Sequence, residues 1–136
     1  MIDSNITPKN VGDIKDLYLI SINDTEGKSY FEDTLSSNLL VTYFDDVIED
    51  TESLKAITTE QGEEIYNFIK SINITPNTHL VVHCSAGQNR SGSVGKFAAD
   101  YFKYNQKRLM VENPIIKGNS TVTRILNKLW LWSHYN

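Results

Sequence analysis

Residues 80–92 read LVVHCSAGQNRSG, and everything else in the chain is read outward from them. Leu80, Val81 and Val82 have the apolar continuity of a short buried strand. His83 and Cys84, the chain's single cysteine, follow. Ser85, Ala86, Gly87, Gln88 and Asn89 then lead to Arg90 and Ser91. A strand that ends in a tight loop opening a helix turns successive backbone N–H groups into one concavity. The helix N-terminus there favours negative charge. Such a concavity binds a phosphate-sized anion. It also favours a thiolate, whose ordinary pKa of about 8.5 falls below neutral at a helix N-terminus beside a cation. Arg90 adds a planar fork able to hold two anion oxygens at once. Gly87 permits a backbone turn or close approach that a side chain would block.

A lone cysteine is more often an inert buried thiol, and a histidine ending an apolar strand is more often a core residue. The joint spacing of His83, Cys84, Gly87, Arg90 and Ser91 between a strand and a helix is what gives the stretch its chemistry.

At 136 residues the chain is expected to form one domain, 1–136, large enough to bury a proper core. No apolar run approaches a membrane span, and MIDSNITPKN lacks the basic-then-apolar pattern of a secretion signal. One cysteine leaves no internal disulfide framework and suits a reducing cytoplasm. His79, His83 and His134 show no metal-ligand spacing with it, so neither metal nor cofactor is expected. The charge is uneven. Residues 1–75 hold fifteen acids against five lysines, and residues 76–136 hold two acids against eight Lys or Arg. The basic half contains Cys84. It could steer an anionic substrate or a nucleic acid toward the loop, or simply complement the acidic half. No basic run or aromatic RNA-binding stretch favours nucleic acid.

Along the chain, a short helix is expected near 8–14. Strands are expected over 17–22 (LYLISI) and 39–44 (LLVTYF), with the turn-prone Asn23-Asp24-Thr25 after the first. Thr58 with Gln61 forms a capping box for a helix whose stripe is Ile65, Phe68, Ile69 and Ile72. A helix over 90–104 follows the Cys84 loop, 105–119 reads as a connection, and a last helix covers 120–134. It should bury Val122, Ile125, Leu126, Leu129 and one of Trp130 or Trp132. Strands alternating with helices indicate an α/β sandwich on a mainly parallel sheet.

His-Cys, five residues, Arg-Ser, with the inner Ser-Ala-Gly and the preceding strand, closely resembles the signature of the cysteine-based protein tyrosine and dual-specificity phosphatases. The resemblance covers most of the chain from Leu17 onward as an order of elements. It implies a three-layer α/β sandwich with a central, mainly parallel sheet, and hydrolysis through a phosphocysteine. Cys84 is then the nucleophile, and Arg90 with the N–H groups of residues 85–90 holds the phosphoryl oxygens. Ser91 eases departure of the sulfur, and His83 orders the loop and helps hold the thiolate without acting as a base. In that family a carboxylic acid on a mobile loop, some thirty to forty residues ahead, protonates the leaving oxygen. Here VTYFDD supplies it, with Asp46 in the matching position, Asp45 as rival and Asp50 as a weaker one. Residues 114–119 (PIIKGN) resemble the family's Pro-x-Ile-x-Pro-Asn segment with Gly118 replacing the second proline. Asn119 then orders the loop or caps a helix.

The expected partner is a phosphoprotein or phosphopeptide, away from membranes. The neutral Gln88 and Asn89 speak against phosphoinositides. Asn before the arginine also occurs in related phosphatases of RNA 5′ ends, which leaves that substrate open. Two other classes compete: a phosphopeptide-binding module without turnover, and a different cysteine-loop enzyme such as a sulfurtransferase or arsenate reductase.

Overall fold

The computed structural model describes residues 15–34, 36–85 and 87–135. The helix expected near 8–14 and the loop residue Ala86 lie outside them. Among the described residues the chain is an α/β protein with a small parallel sheet of three strands and four helices. Strands β1 (Leu17–Asn23), β2 (Leu39–Tyr43) and β3 (His79–His83) lie in the order β2-β1-β3. Leu19 pairs with Leu39 on one side, and Leu17 with His79 on the other. Because every strand runs the same way, the segments leaving them (24–38, 44–58 and 84–89) gather on one edge of the sheet. Open parallel sheets bind ligands at that edge.

Successive side chains of a strand point to opposite faces. On β1, Ile20 and Ile22 enter the main core with Phe44, Ile65, Ile69, Val94, Val122 and Leu126. Leu17 and Leu19 point the other way and pack on Phe31, with Leu39, Val41 and Val81 around them.

Helix α1 (Thr59–Ser71) begins where the capping box places it. The Thr58 hydroxyl accepts from the Gln61 N–H, and the Gln61 side chain accepts from the Thr58 N–H. Gln61 also donates to the Tyr43 carbonyl at 2.6 Å, which ties the helix start to the end of β2. Helix α2 (Arg90–Tyr101) stops short of the expected Tyr104. Lys103 adopts φ 58°, a left-handed conformation no helix can continue through.

The connection over 105–119 contains a helix the sequence did not announce, α3 (Gln106–Glu112), capped by Asn105 on the Arg108 N–H at 2.9 Å. It buries no residue, so it carries no apolar stripe to read. Helix α4 (Ser120–Tyr135) buries Val122, Ile125 and Leu126, and packs on both α1 and α2. Trp130 is half-buried against the core, whereas Trp132 is 63% exposed, which resolves the choice between them.

Beside β3 lies an apolar cavity of about 680 Å³, lined by Val81, Val82, Ala98, Phe102 and Leu109 among others. It touches the Cys84 loop at Gly87 and Ser91 and includes none of Cys84, Arg90 or Asp46, so it is not the anion site. Among the described residues, no helix is long and apolar enough to cross a membrane.

Candidate active site

The loop after β3 folds as its residue types dictate. Gly87 takes φ 66°, and its N–H donates back to the Cys84 carbonyl at 3.2 Å, closing a turn that a side chain would strain. Two residues after Asn89 the helix is under way, and Ser91 returns to the cysteine. Its hydroxyl lies 3.2 Å from Cys84 Sγ, and its N–H donates to the same sulfur at 3.4 Å. Burial pushes the Cys84 thiol up. The Ser91 hydroxyl and the N–H groups of Ser91, Gln88 and Gly87 outweigh that and hold it below the usual thiol value. The sulfur is therefore a buried group whose hydrogen bonds favour the charged form. Gly92 is needed for a separate reason: a Cβ there would run into the backbone of Lys117, whose N–H donates to the Gln88 carbonyl.

Arg90 is buried at 4% exposure. One terminal nitrogen, Nη1, donates to the Phe44 carbonyl at 2.7 Å and pairs with Asp24 at 2.9 Å. Its Nε is buried without a hydrogen-bond partner. A buried guanidinium with an unsatisfied donor is suited to an arriving anion. Asp24 was legible only as a turn residue, since nothing in its local sequence links it to a residue 66 positions away.

The two candidate acids part company. Asp45 is buried, and its carboxylate accepts from the N–H groups of Thr25 at 3.1 Å and Lys55 at 2.7 Å. Burial raises the Asp45 carboxyl, but the N–H groups of Lys55 and Thr25, with the Arg90 charge, outweigh it and hold the carboxyl below its ordinary value. Asp45 is thus engaged by Thr25 and Lys55 and makes no hydrogen bond to the Cys84 loop among the described residues. Asp46 is exposed and faces the Cys84 loop: Asn89 donates to its Oδ2 at 2.8 Å. Asn119 donates to its Oδ1 at 3.0 Å and to the Val47 carbonyl at 3.1 Å. The weaker candidate, Asp50, accepts from the Ala56 N–H and stays within its own turn.

Asn119 does more than the sequence suggested. It is buried, and its Oδ1 accepts from the N–H groups of Thr121 and Val122, capping α4 as expected. Its amide also holds Asp46, and its backbone is bonded on both sides to Ser93 of α2. One residue therefore connects α2, α4 and the acid. The Pro-Asn resemblance was the available signal.

His83 does not reach toward the sulfur. Its Nε2 meets the Ser21 hydroxyl at 2.7 Å, which pins β3 to β1, and its ring lies edge-on to Phe31. Burial drives its pKa down to about 4, so at neutral pH it brings no positive charge to the thiolate.

The charge of the loops beside Cys84 is opposite to that of the sequence half that carries it. The loops beside Cys84 come from the acidic half: residues 24–38 carry four acids against Lys28, and residues 44–58 carry five against Lys55. Of the described ion pairs only Arg90–Asp24 joins the halves; Lys28–Glu32 and Arg108–Glu112 are local. Cys84 belongs to the basic half of the sequence, and the acidic half meets its loop through Asp24 on Arg90 and Asp46 on Asn89. Among the described residues, no group of three or more His, Cys, Asp or Glu side chains is placed to hold a metal ion. No protein-family model matches the chain, and a search of curated proteins finds no relative.

Proposed function

We propose that the chain is a phosphomonoester hydrolase, a small cysteine-dependent phosphatase of the protein tyrosine or dual-specificity type. On this reading its architecture is the three-layer α/β sandwich of that family, and it works in the cytoplasm on a phosphoprotein or phosphopeptide. The observation that carries the proposal is the convergence at one sheet edge of three groups. They are a cysteine whose hydrogen bonds favour the thiolate, a buried arginine with a free donor, and a carboxylate bonded to the same loop.

The chemistry then runs in two displacements. The Cys84 thiolate attacks phosphorus, so an S–P bond forms as the ester P–O bond breaks. Arg90 and the loop N–H groups hold the remaining phosphoryl oxygens, whose charge grows in the transition state. Asp46 gives its proton to the leaving oxygen, which departs as a neutral alcohol or phenol. A water then loses a proton to the Asp46 carboxylate and attacks phosphorus. The S–P bond breaks, and the sulfur leaves as a thiolate steadied by the Ser91 hydroxyl. Inorganic phosphate is released, and no step draws on a metal or cofactor.

The test is turnover of an aryl phosphate in the presence of a metal chelator, with inhibition by vanadate. Cys84→Ser is expected to reduce kcat by about 10⁴-fold or more, because the whole covalent route is lost. Turnover that survives in Cys84→Ser would end the proposal. Sulfur transfer by the wild type in its place would move the chain to a different cysteine-loop chemistry.

A further inference from the structure

We infer, resting on the phosphatase reading above, that this site selects phosphoresidues on cationic polypeptide carriers. The basis is that the two loops folded against the Cys84 loop are acidic even when their own lysines, Lys28 and Lys55, are counted.

The parallel sheet places residues 24–38, 44–58 and 84–89 on one edge. Contacts bring the first two against the third. Asp24 pairs with Arg90, the Phe44 carbonyl accepts from Arg90, and Asp46 accepts from Asn89. These two loops carry net charges of −3 and −4. Glu26, Glu49 and Glu52 on them are exposed, with their carboxylates in solvent. The Cys84 loop, residues 84–89, has no charged side chain other than the cysteine itself.

The other cations are spread over the helices. Lys96 is about 9 Å along α2 from Arg90, Lys103 lies past the end of that helix, and Arg124 is about 6 Å along α4 from Ser120. Lys128 stands about 12 Å along α4 from its start. Lys107 and Arg108 sit on α3, and Arg108 is engaged by Glu112 at 3.5 Å. Of the lysines near the mouth, Lys28 lies 3.8 Å from Glu32, and Lys55 stands on the acid-bearing segment, bonded through its backbone to Asp45. Lys117 remains beside the loop through its backbone bond to Gln88. Charges within about 10 Å of an entering group act on it at ordinary ionic strength, and those farther off are screened.

Two opposite demands follow. The phosphoryl group itself is held at close range by N–H dipoles and the unpartnered Arg90 Nε, deep in the loop. What is attached to it meets two loops of net negative charge. Each further negative charge on the carrier is repelled and each positive one is drawn in. A 5′-phosphorylated RNA or an inositol polyphosphate brings several extra phosphates toward those loops. A phosphopeptide with Lys or Arg beside the phosphoresidue brings the complementary sign.

The experiment compares kcat/KM for matched phosphotyrosine peptides flanked by arginines or by glutamates, at low and high salt, with an uncharged aryl phosphate as control. The arginine-flanked peptide is expected to be favoured about tenfold or more at low salt, with the ratio shrinking toward unity as salt rises. Glu26→Lys combined with Glu49→Lys should shrink the same ratio at low salt, whereas Lys128→Glu should leave it where it was. Equal rates for the two peptides, or faster turnover of a 5′-triphosphorylated RNA oligomer, would overturn the inference while aryl-phosphate turnover kept the phosphatase reading intact. Absence of Cys84-dependent aryl-phosphate turnover would instead remove the reading beneath it.

Discussion

The loop over residues 84–92 and the segment over residues 44–58 meet at the same site but are held in place differently. The loop is fixed mainly from within, with one outside bond from the Lys117 N–H to the Gln88 carbonyl. Gly87 bonds back to Cys84, and Ser91 returns to the sulfur seven residues away. The acid-bearing segment is fixed from outside, by partners far along the chain. Thr25 holds Asp45, Arg90 holds the Phe44 carbonyl, Asn89 and Asn119 hold Asp46, and Thr121 holds the Ile48 carbonyl. The nucleophile thus depends on local chain geometry, whereas the acid depends on the whole fold being assembled. Damage to packing far from the site should reach the acid before it reaches the thiolate.

The widest separation between the two should come from the neighbouring aspartates. Asp46→Asn keeps the shape but cannot donate a proton as an acid. For leaving groups of high pKa, kcat should fall about 10²–10⁴-fold, and much less for leaving groups of low pKa. The thiolate should still alkylate normally, since none of its hydrogen-bond partners is touched. Asp45→Asn should behave in the opposite way. It puts an amide where two buried N–H groups need acceptors, and should cost about 1–3 kcal/mol of stability in denaturant titration. Its leaving-group dependence should stay that of the wild type. A leaving-group-dependent loss in Asp45→Asn with none in Asp46→Asn would exchange the two roles.

A glycine pair tests whether packing damage travels as described. A Cβ at Gly92 meets backbone atoms of Lys117, which cannot swing aside as a side chain can. Gly92→Ala should cost about 1–3 kcal/mol from overpacking. Because Lys117 bonds to Gln88, the shift should also disturb the loop and lower kcat. Gly95, one turn along the same helix, has nothing within 4 Å of the added carbon. Gly95→Ala should be neutral or stabilise by about 0.5–1 kcal/mol. Identical melting curves for the two variants would show that Lys117 yields easily.

The linkage of stability to pH isolates the strand that carries the loop. His83 has a folded pKa of about 4 against an ordinary 6.5, so as pH falls the unfolded chain takes up the proton first. Its contribution to stability is complete above pH 6.5 and is lost progressively down to about pH 4. Asp45, also lowered, adds to the loss only below its ordinary 3.8. The urea midpoint should therefore decline from pH 7 to pH 4, and His83→Gln should flatten that stretch of the curve. An unchanged slope in His83→Gln would mean that another group dominates acid unfolding.

The same local-versus-distant division explains what could be read without coordinates. The strands, the Thr58–Gln61 start of α1 and the Cys84 loop are legible because their signals are contiguous: apolar runs, a capping box, a turn glycine at fixed spacing. The α3 helix is not, because it buries nothing and has no stripe. The early end of α2 rests on one left-handed residue, Lys103, whose type gives no warning. Asp24, and the hold of Asn119 on Asp46, escaped for a third reason: each rests on a contact across 66 or 73 residues of chain. Charge is a case of the same kind: counting by sequence halves leaves open what faces Cys84, and only the fold brings Asp24 and Asp46 of the acidic half against its loop.

The smallest expected effect lies where the two segments touch. Asn89 occupies the cap position of α2, where an asparagine side chain would ordinarily accept an N–H of the first turn. It makes no such bond and donates instead to Asp46. The residue therefore gives up a helix cap, and what it gains is a link between the phosphate loop and the acid. Asn89→Ala removes one of the two amides on Asp46 and leaves Asn119 in place, so kcat should fall only about three- to tenfold with KM nearly unchanged. The discriminating measurement is the double variant. In an Asp46→Asn background, Asn89→Ala should cost little or nothing more, because the group it positions no longer works as an acid. If the two losses multiply instead, Asn89 acts on the phosphoryl group directly, and the acid is held by Asn119 alone.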